Sequence, residues 1–246
     1  MSTIDYEIWL SHFEHHARHA RCVLHGLSDL LRSDERQLIA RSIATFQLGE
    51  QSQGRGLLRA AQRFARGRRI PALVRITELF ILEEQRHAAL LREFMEDHHI
   101  ALKRADWTDP LFRLARRLAD LELCLYVVIS AELIGIVYYR ALEAATDCRR
   151  LRVLCRVLVA DELAHVGFES QLLLALRSGR AASAQALMRL AHWAFVTGTA
   201  SIVWLTHRSL LRRQGYGARS FVRACLSQYA FYLEPVNVML ASTSVP

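Results

Sequence analysis

Glu50, Glu84-Gln-Arg-His87, Glu132 and Glu162-Leu-Ala-His165 form a two-fold series: a lone glutamate, a Glu-x-x-His, and then the same again. Residues three apart on an α-helix lie nearly above one another, so each Glu-x-x-His aims a carboxylate and an imidazole from one face. The spacing restricts the fold strongly. The midpoint of 50 and 84 falls at Gly67, where Gly67-Arg68-Arg69-Ile70-Pro71 pairs a glycine suited to ending a helix with a proline suited to starting one. The midpoint of 132 and 162 falls at Asp147, in the polar break Thr146-Asp147-Cys148. Each lone glutamate is therefore level with its Glu-x-x-His on an antiparallel neighbour, about 25 Å from the first turn and about 22 Å from the second, at about 1.5 Å per residue. The pattern calls for four helices with six ionisable side chains at one height.

A third match, Glu96-Asp-His-His99, tests that logic, because 15 glutamates and 11 histidines supply about one such match by chance. It lies 12 residues beyond Glu84 and His87. That is a rotation of roughly 120° off their face, and no level glutamate answers it. It is expected to be a solvated helix end. The other six sit in apolar stripes. Glu84 and His87 share a face with Leu73, Ile76, Phe80, Leu91 and Phe94, and Glu132 with Leu125, Val128, Ile129, Ile136 and Tyr139. Glu162 and His165 lie among Cys155, Leu158, Val159, Val166, Leu172 and Leu173; Glu50 lies among Ile43, Phe46, Leu57 and Leu58, beside Gln47, Gln53 and Gly54. Ionisable groups in such places are costly unless paired or bound to a cation. A buried salt-bridge network is the competing arrangement, but two histidines neutralise four carboxylates poorly. Two divalent ions would balance them and leave both imidazoles as neutral ligands.

The order Glu, Glu-x-x-His, Glu, Glu-x-x-His resembles the ferritin-like di-iron carboxylate superfamily over roughly residues 35–178. Glu83-Glu84-Gln85-Arg86-His87 is similar to the form found in soluble fatty-acyl desaturases, ribonucleotide reductase small subunits and bacterial monooxygenases. Ala160-Asp161-Glu162-Leu163-Ala164-His165 resembles the second copy, with Ala164 where those families often place arginine. The resemblance implies Glu50, Glu84, His87, Glu132, Glu162 and His165 as ligands of two iron ions, with a mixed manganese–iron pair using the same donors. It also implies that Asp161 orients His87 and that Glu83 orients His165.

The expected fold is all-α: a ferritin-like four-helix bundle with one extra N-terminal helix and about two C-terminal ones, in a single domain over 1–246. Residues 1–33 would hold the N-terminal helix (near 5–32), 34–179 the metal-binding bundle, and 180–246 the C-terminal helices. Bundle helices are placed near 35–66, 71–100, 110–145 and 149–178, and C-terminal ones near 183–213 and 218–233. Asp109-Pro110 reads as a helix start, residues 100–110 as the crossover, and Gly179 and Gly215 as helix stops. No period-two alternation argues for a strand. The apolar run Leu123 to Tyr139 carries Glu132 at its centre and falls short of a spanning length, so no membrane span is expected. Five scattered cysteines without a Cys-x-x-Cys, and no basic, apolar, cleavable leader, point to a cytoplasmic protein with reduced thiols.

The resemblance implies activation of O2 for the oxidation of a small organic molecule. A ferroxidase or peroxide-reducing protein, a non-enzymatic helical protein with structural metal and, on basic balance alone, a tRNA hydroxylase are alternatives. The C-terminal aromatics Trp193, Phe195, Trp204, Phe221, Tyr229 and Phe231 favour the first, as helices that wall a substrate pocket. Gly54 and Gly135, each about one turn after a lone glutamate, are candidate room beside the metals, with close helix packing as the other reading. Tyr139 is a candidate redox or hydrogen-bonding residue, and Glu169 either supports a ligand or faces solvent. The net charge of +8 comes from 31 arginines and one lysine. Arg55, Arg59, Arg63 and Arg66, running towards Arg68 and Arg69, make a solvated face or a dock for an acidic partner such as an electron-transfer protein or RNA. A homodimer is compatible with all of this. The histidines at 12, 15, 16, 19 and 25, lacking carboxylates at matched height, read as a surface or packing cluster.

Overall fold

The computed structural model describes residues 4–19, 29–51, 54–104 and 120–233. Among them every regular element is helical: α1 (Tyr6–His19), α2 (Ser33–Glu50), α3 (Arg55–Arg68), α4 (Pro71–Asp97), α5 (Leu121–Ala144), α6 (Arg149–Arg177), α7 (Ala182–Arg213) and α8 (Ala218–Leu233). The expected starts at Asp109-Pro110 and most of the crossover lie outside the described residues, as do Gln53, Cys22 and His25.

The helix expected over 35–66 is two helices. α2 ends at Glu50 and α3 begins at Arg55, with Gly54 between them at φ +58°. A Cβ at Gly54 would meet Ile81 Cγ1 at 2.5 Å, so the chain turns here against the side of α4. Apolar periodicity continues on both sides of the break, which is why it is invisible to pattern reading. The turn between α3 and α4 also differs in detail: Gly67 stays helical and Arg69 takes the left-handed position (φ 56°), while Pro71 does open α4.

α5 starts with the Asp120 carboxylate accepting from the Leu123 N–H (2.9 Å), and a tight turn through Ala145–Cys148 leads to α6. That turn is tied back to the start of α2. Glu35 accepts from the backbone N–H of Arg32 (3.0 Å) and of Asp147 (2.6 Å), and Arg32 bridges to Asp147. α4 and α6 run antiparallel, since His87 meets Asp161 while His165 meets Glu83. Gly179 and Gly215 adopt positive φ at the ends of α6 and α7, as helix stops should.

Two apolar clusters fill the interior. One joins Leu73–Ile81 of α4, Leu121–Ile136 of α5 and Val166–Leu173 of α6 to Trp9 and Phe13 of α1. The other joins Leu90–Met95, Tyr138–Leu142 and Leu151–Leu158 of the same three helices to Ile39 and Ile43 of α2. Glu84, His87, Glu162 and His165 occupy the stretch between them on α4 and α6, and Glu132 lies within the first cluster's span on α5. α7 and α8 bury the other face of α5, where Ile134, Val137 and Ala141 pack on Ala200, Trp204, Phe221 and Cys225. α5 is long and apolar enough to cross a membrane, yet most of its surface is used inside the protein, which accounts for a helix apolar on all sides.

Candidate metal centre

Glu50 closes the last turn of α2, Glu84 and His87 come from mid-α4, Glu132 from mid-α5, and Glu162 and His165 from mid-α6. Their donor atoms fall into two groups, Glu50–Glu84–His87–Glu162 and Glu84–Glu132–Glu162–His165, and within each group all lie within 4.8 Å of one another. Glu84 and Glu162 belong to both. His87 and His165 are wholly buried, as nearly are Glu132 and Glu162, while Glu50 and Glu84 keep partial exposure.

His165 Nδ1 and Glu162 Oε2 are in hydrogen-bond contact at 3.4 Å, but other close contacts among the six are not hydrogen bonds. His87 Nδ1 is 3.3 Å from Glu84 Oε1 and 3.6 Å from Glu162 Oε1, but neither contact has hydrogen-bonding geometry. Glu132 Oε2 is likewise buried without a hydrogen bond, 3.4 Å from His165 Nδ1. Glu84 Oε1 is a third such atom. Buried polar atoms in native proteins are overwhelmingly satisfied, so three unsatisfied atoms in two adjoining groups fit residues that could hold a cation. The donor set, carboxylate oxygen and imidazole nitrogen, suits iron, manganese or zinc.

The electrostatics agree. Burial pushes the Glu50 carboxyl well above its usual range, and the charges of Glu84 and Glu162 push it further. Burial opposes the charge of Glu84, yet the two imidazoles hold its carboxyl far below that range. Burial also works against charge on His87 and His165, but the surrounding acids raise both well above the ordinary histidine value. Metal binding at these rings would require an unprotonated Nδ1, so uptake would release any proton held there.

The outer nitrogens of the two imidazoles are held across the α4–α6 interface. His87 Nε2 donates to Asp161 Oδ2 (3.0 Å) and His165 Nε2 to Glu83 Oε2 (3.1 Å), the contacts implied for this acid pair. Arg86, for which sequence reading gave no role, donates from one nitrogen to both acids at 2.7 Å. Burial opposes the Glu83 charge, but the bond from His165 brings its carboxyl down to about 2. The Tyr139 hydroxyl donates to Glu50 Oε1 at 2.6 Å, so this tyrosine is a hydrogen-bonding support of a candidate ligand.

Several expectations change. Gly54 makes no room beside the candidate ligands, since a Cβ added there would meet Ile81. At Gly135 an added Cβ would make ordinary contact with Tyr139, 3.8 Å away. Glu169 does not face solvent: it is 1% exposed, its Oε2 has no hydrogen bond, and burial raises its carboxyl well above the usual range. Trp204 and Phe221 pack on the far face of α5 rather than lining the centre, and Trp193 and Phe231 are exposed. Glu96 and His99 are exposed at the end of α4, as expected.

The largest correction concerns α1, whose histidines do have carboxylate neighbours. His16 Nδ1 lies 3.4 Å from Glu83 and 3.9 Å from Asp161. Trp9 and Phe13 dock the helix, Phe13 stacking on His165 (5.9 Å), which Phe80 also meets edge-on (4.7 Å). The available signal was the shared stripe of Trp9, His12, Phe13 and His16 at helical spacing. No protein-family model matches the chain, and no curated protein or solved structure is significantly similar to it.

Proposed function

We propose that this chain is a non-haem di-iron oxidoreductase of ferritin-like architecture that activates O2 to oxidise a small organic substrate. The observation that carries the reading is the pair of four-residue groups sharing Glu84 and Glu162, a layout made for two metals with common carboxylates. Two iron ions bound there would supply electrons to O2 and oxidising power to the substrate. The chain's own part is to hold, orient and exclude. Four glutamates would balance two divalent ions, and each group offers four side chains to hold one of them. Asp161 and Glu83 fix the tautomers of His87 and His165 by accepting a hydrogen bond from each Nε2–H, which would leave each Nδ1 available to a metal. Tyr139 steadies Glu50, while Phe13 and Phe80 shield His165 from water. Electrons would come from an acidic redox protein docking on α3, where Arg55, Arg59, Arg66, Arg68 and Arg69 are exposed and no acidic residue intervenes.

The test is metal stoichiometry. The purified protein should carry two irons per chain. Glu84→Ala or Glu162→Ala, each removing a residue common to both groups, should lose both, whereas Glu132→Ala should weaken one. Unchanged metal content in both shared-residue variants would falsify the assignment. Reduced protein should then consume O2 faster when a suitable organic compound is present; rapid turnover of excess Fe(II) instead would identify a ferroxidase.

A further inference from the structure

We propose that His16, Glu83 and Asp161 form a third, weaker divalent-metal site, a staging position for ions entering the two-metal centre. The inference rests on the di-metal reading and adds a site to it. Donor atoms of these three residues, from α1, α4 and α6, lie within 4.8 Å of one another. His16 Nδ1 is 3.4 Å from Glu83 Oε1 and 3.9 Å from Asp161 Oδ1. A first-row metal bound at about 2.0–2.2 Å sets its ligands roughly 3–4 Å apart, so these separations suit a shared ion.

A second histidine of α1 stands beside His16. His12 lies one turn before His16 with ring centroids 4.3 Å apart, and its Nε2 is buried with no hydrogen bond. Arg86 explains why the site is weak. Its guanidinium binds Glu83 Oε1 and Asp161 Oδ2, leaving Asp161 Oδ1 for a cation but placing a positive charge nearby. An ion must bind well enough to enter and loosely enough to leave.

Position supplies the remaining support. The His16 side chain is 33% exposed, whereas His87 and His165 are at 0%. The same two acids that face His16 hold the outer nitrogens of both buried imidazoles. An ion resting on Glu83 and Asp161 is therefore in contact with solvent on one side and with the centre's supporting bonds on the other. The ligand class is a first-row divalent cation, which prefers this mixture of imidazole and carboxylate.

The experiment titrates metal-free, full-length protein with Co(II), reading stoichiometry by equilibrium dialysis and uptake by stopped-flow absorbance. Three equivalents are expected, the third at least tenfold weaker. His16→Gln with His12→Gln should keep the two tight equivalents, lose the third and slow filling of the centre at least tenfold. His15→Gln with His19→Gln, which removes the exposed stacked pair on the same helix, should keep all three. Circular dichroism checks that each variant is folded; Trp9 and Phe13, which dock α1, are unchanged. Saturation at two equivalents in the native chain overturns the third site alone. So does a third equivalent that survives the His12/His16 change or disappears with His15/His19. Uptake at the native rate in the His12/His16 variant overturns the staging role. Fewer than two equivalents in the native chain overturns the di-metal reading with it.

Discussion

Tyr139 and Glu169 show how differently two buried polar side chains can stand beside one centre. Tyr139 has found its partner: burial and the Glu50 charge raise its hydroxyl far above the ordinary tyrosine value, and it donates to Glu50 at 2.6 Å. Losing a hydrogen bond that supports a ligand typically costs 10–100-fold in metal affinity, so Tyr139→Phe should weaken binding by about tenfold or more in a chelator competition titration. Glu169 has an unsatisfied Oε2 in the apolar core. A buried unsatisfied group costs roughly 1–3 kcal/mol, so Glu169→Leu should stabilise the metal-free fold by about that amount in denaturant unfolding at pH 7. The sign with pH follows from its raised carboxyl. The folded state holds this proton more tightly than the unfolded one, so the part of its penalty that comes from ionisation is absent below about pH 4.5 and grows as pH rises. The advantage of Glu169→Leu should shrink in acid; an equal gain at pH 4 and pH 7 would show that the carboxyl is not responsible.

At the level of elements, the break between α2 and α3 matters most for the centre. It leaves Glu50 on the final turn of α2, where unpaired carbonyls add negative potential and favour a cation. Gly54 permits the break by adopting φ +58° and by letting α3 approach Ile81. Gly54→Ala should cost about 1–3 kcal/mol, through strained backbone and the contact with Ile81 together. Adding Ile81→Ala removes the contact but not the strain, so the double variant should show a coupling that relieves part of the loss in a double-mutant cycle. α1 shows the opposite case, an element whose role is set by its contacts. Alone it is a short amphipathic helix; docked through Trp9 and Phe13 it places His16 against the acids that hold both imidazoles.

On the scale of the whole molecule, α7 and α8 complete the core rather than the centre. Trp204 lies in the cluster that covers the outer face of α5, and its indole donates to the Tyr216 carbonyl at 3.0 Å. Trp204→Ala should cost about 3–5 kcal/mol, the usual range for truncating a buried aromatic, while leaving two metals per chain. Loss of metal at unchanged stability would instead tie these helices to the centre.

The chain order alone determined the helical class, the two hairpin turns, the placement of Glu84, His87, Glu132, Glu162 and His165 at mid-helix, and the exclusion of Glu96 and His99; Glu50 reaches them from a helix that ends there. These depend on periodicity and chain length, which are local properties of a helix. Tertiary structure decided the rest. That Glu84 and Glu162 belong to two donor groups, that Arg86 clasps Glu83 and Asp161, and that His16 joins them all depend on helices far apart in the chain. The break at Gly54 was hidden because a periodic stripe continues through it, and only the side of α4 at Ile81 reveals why the chain must turn there.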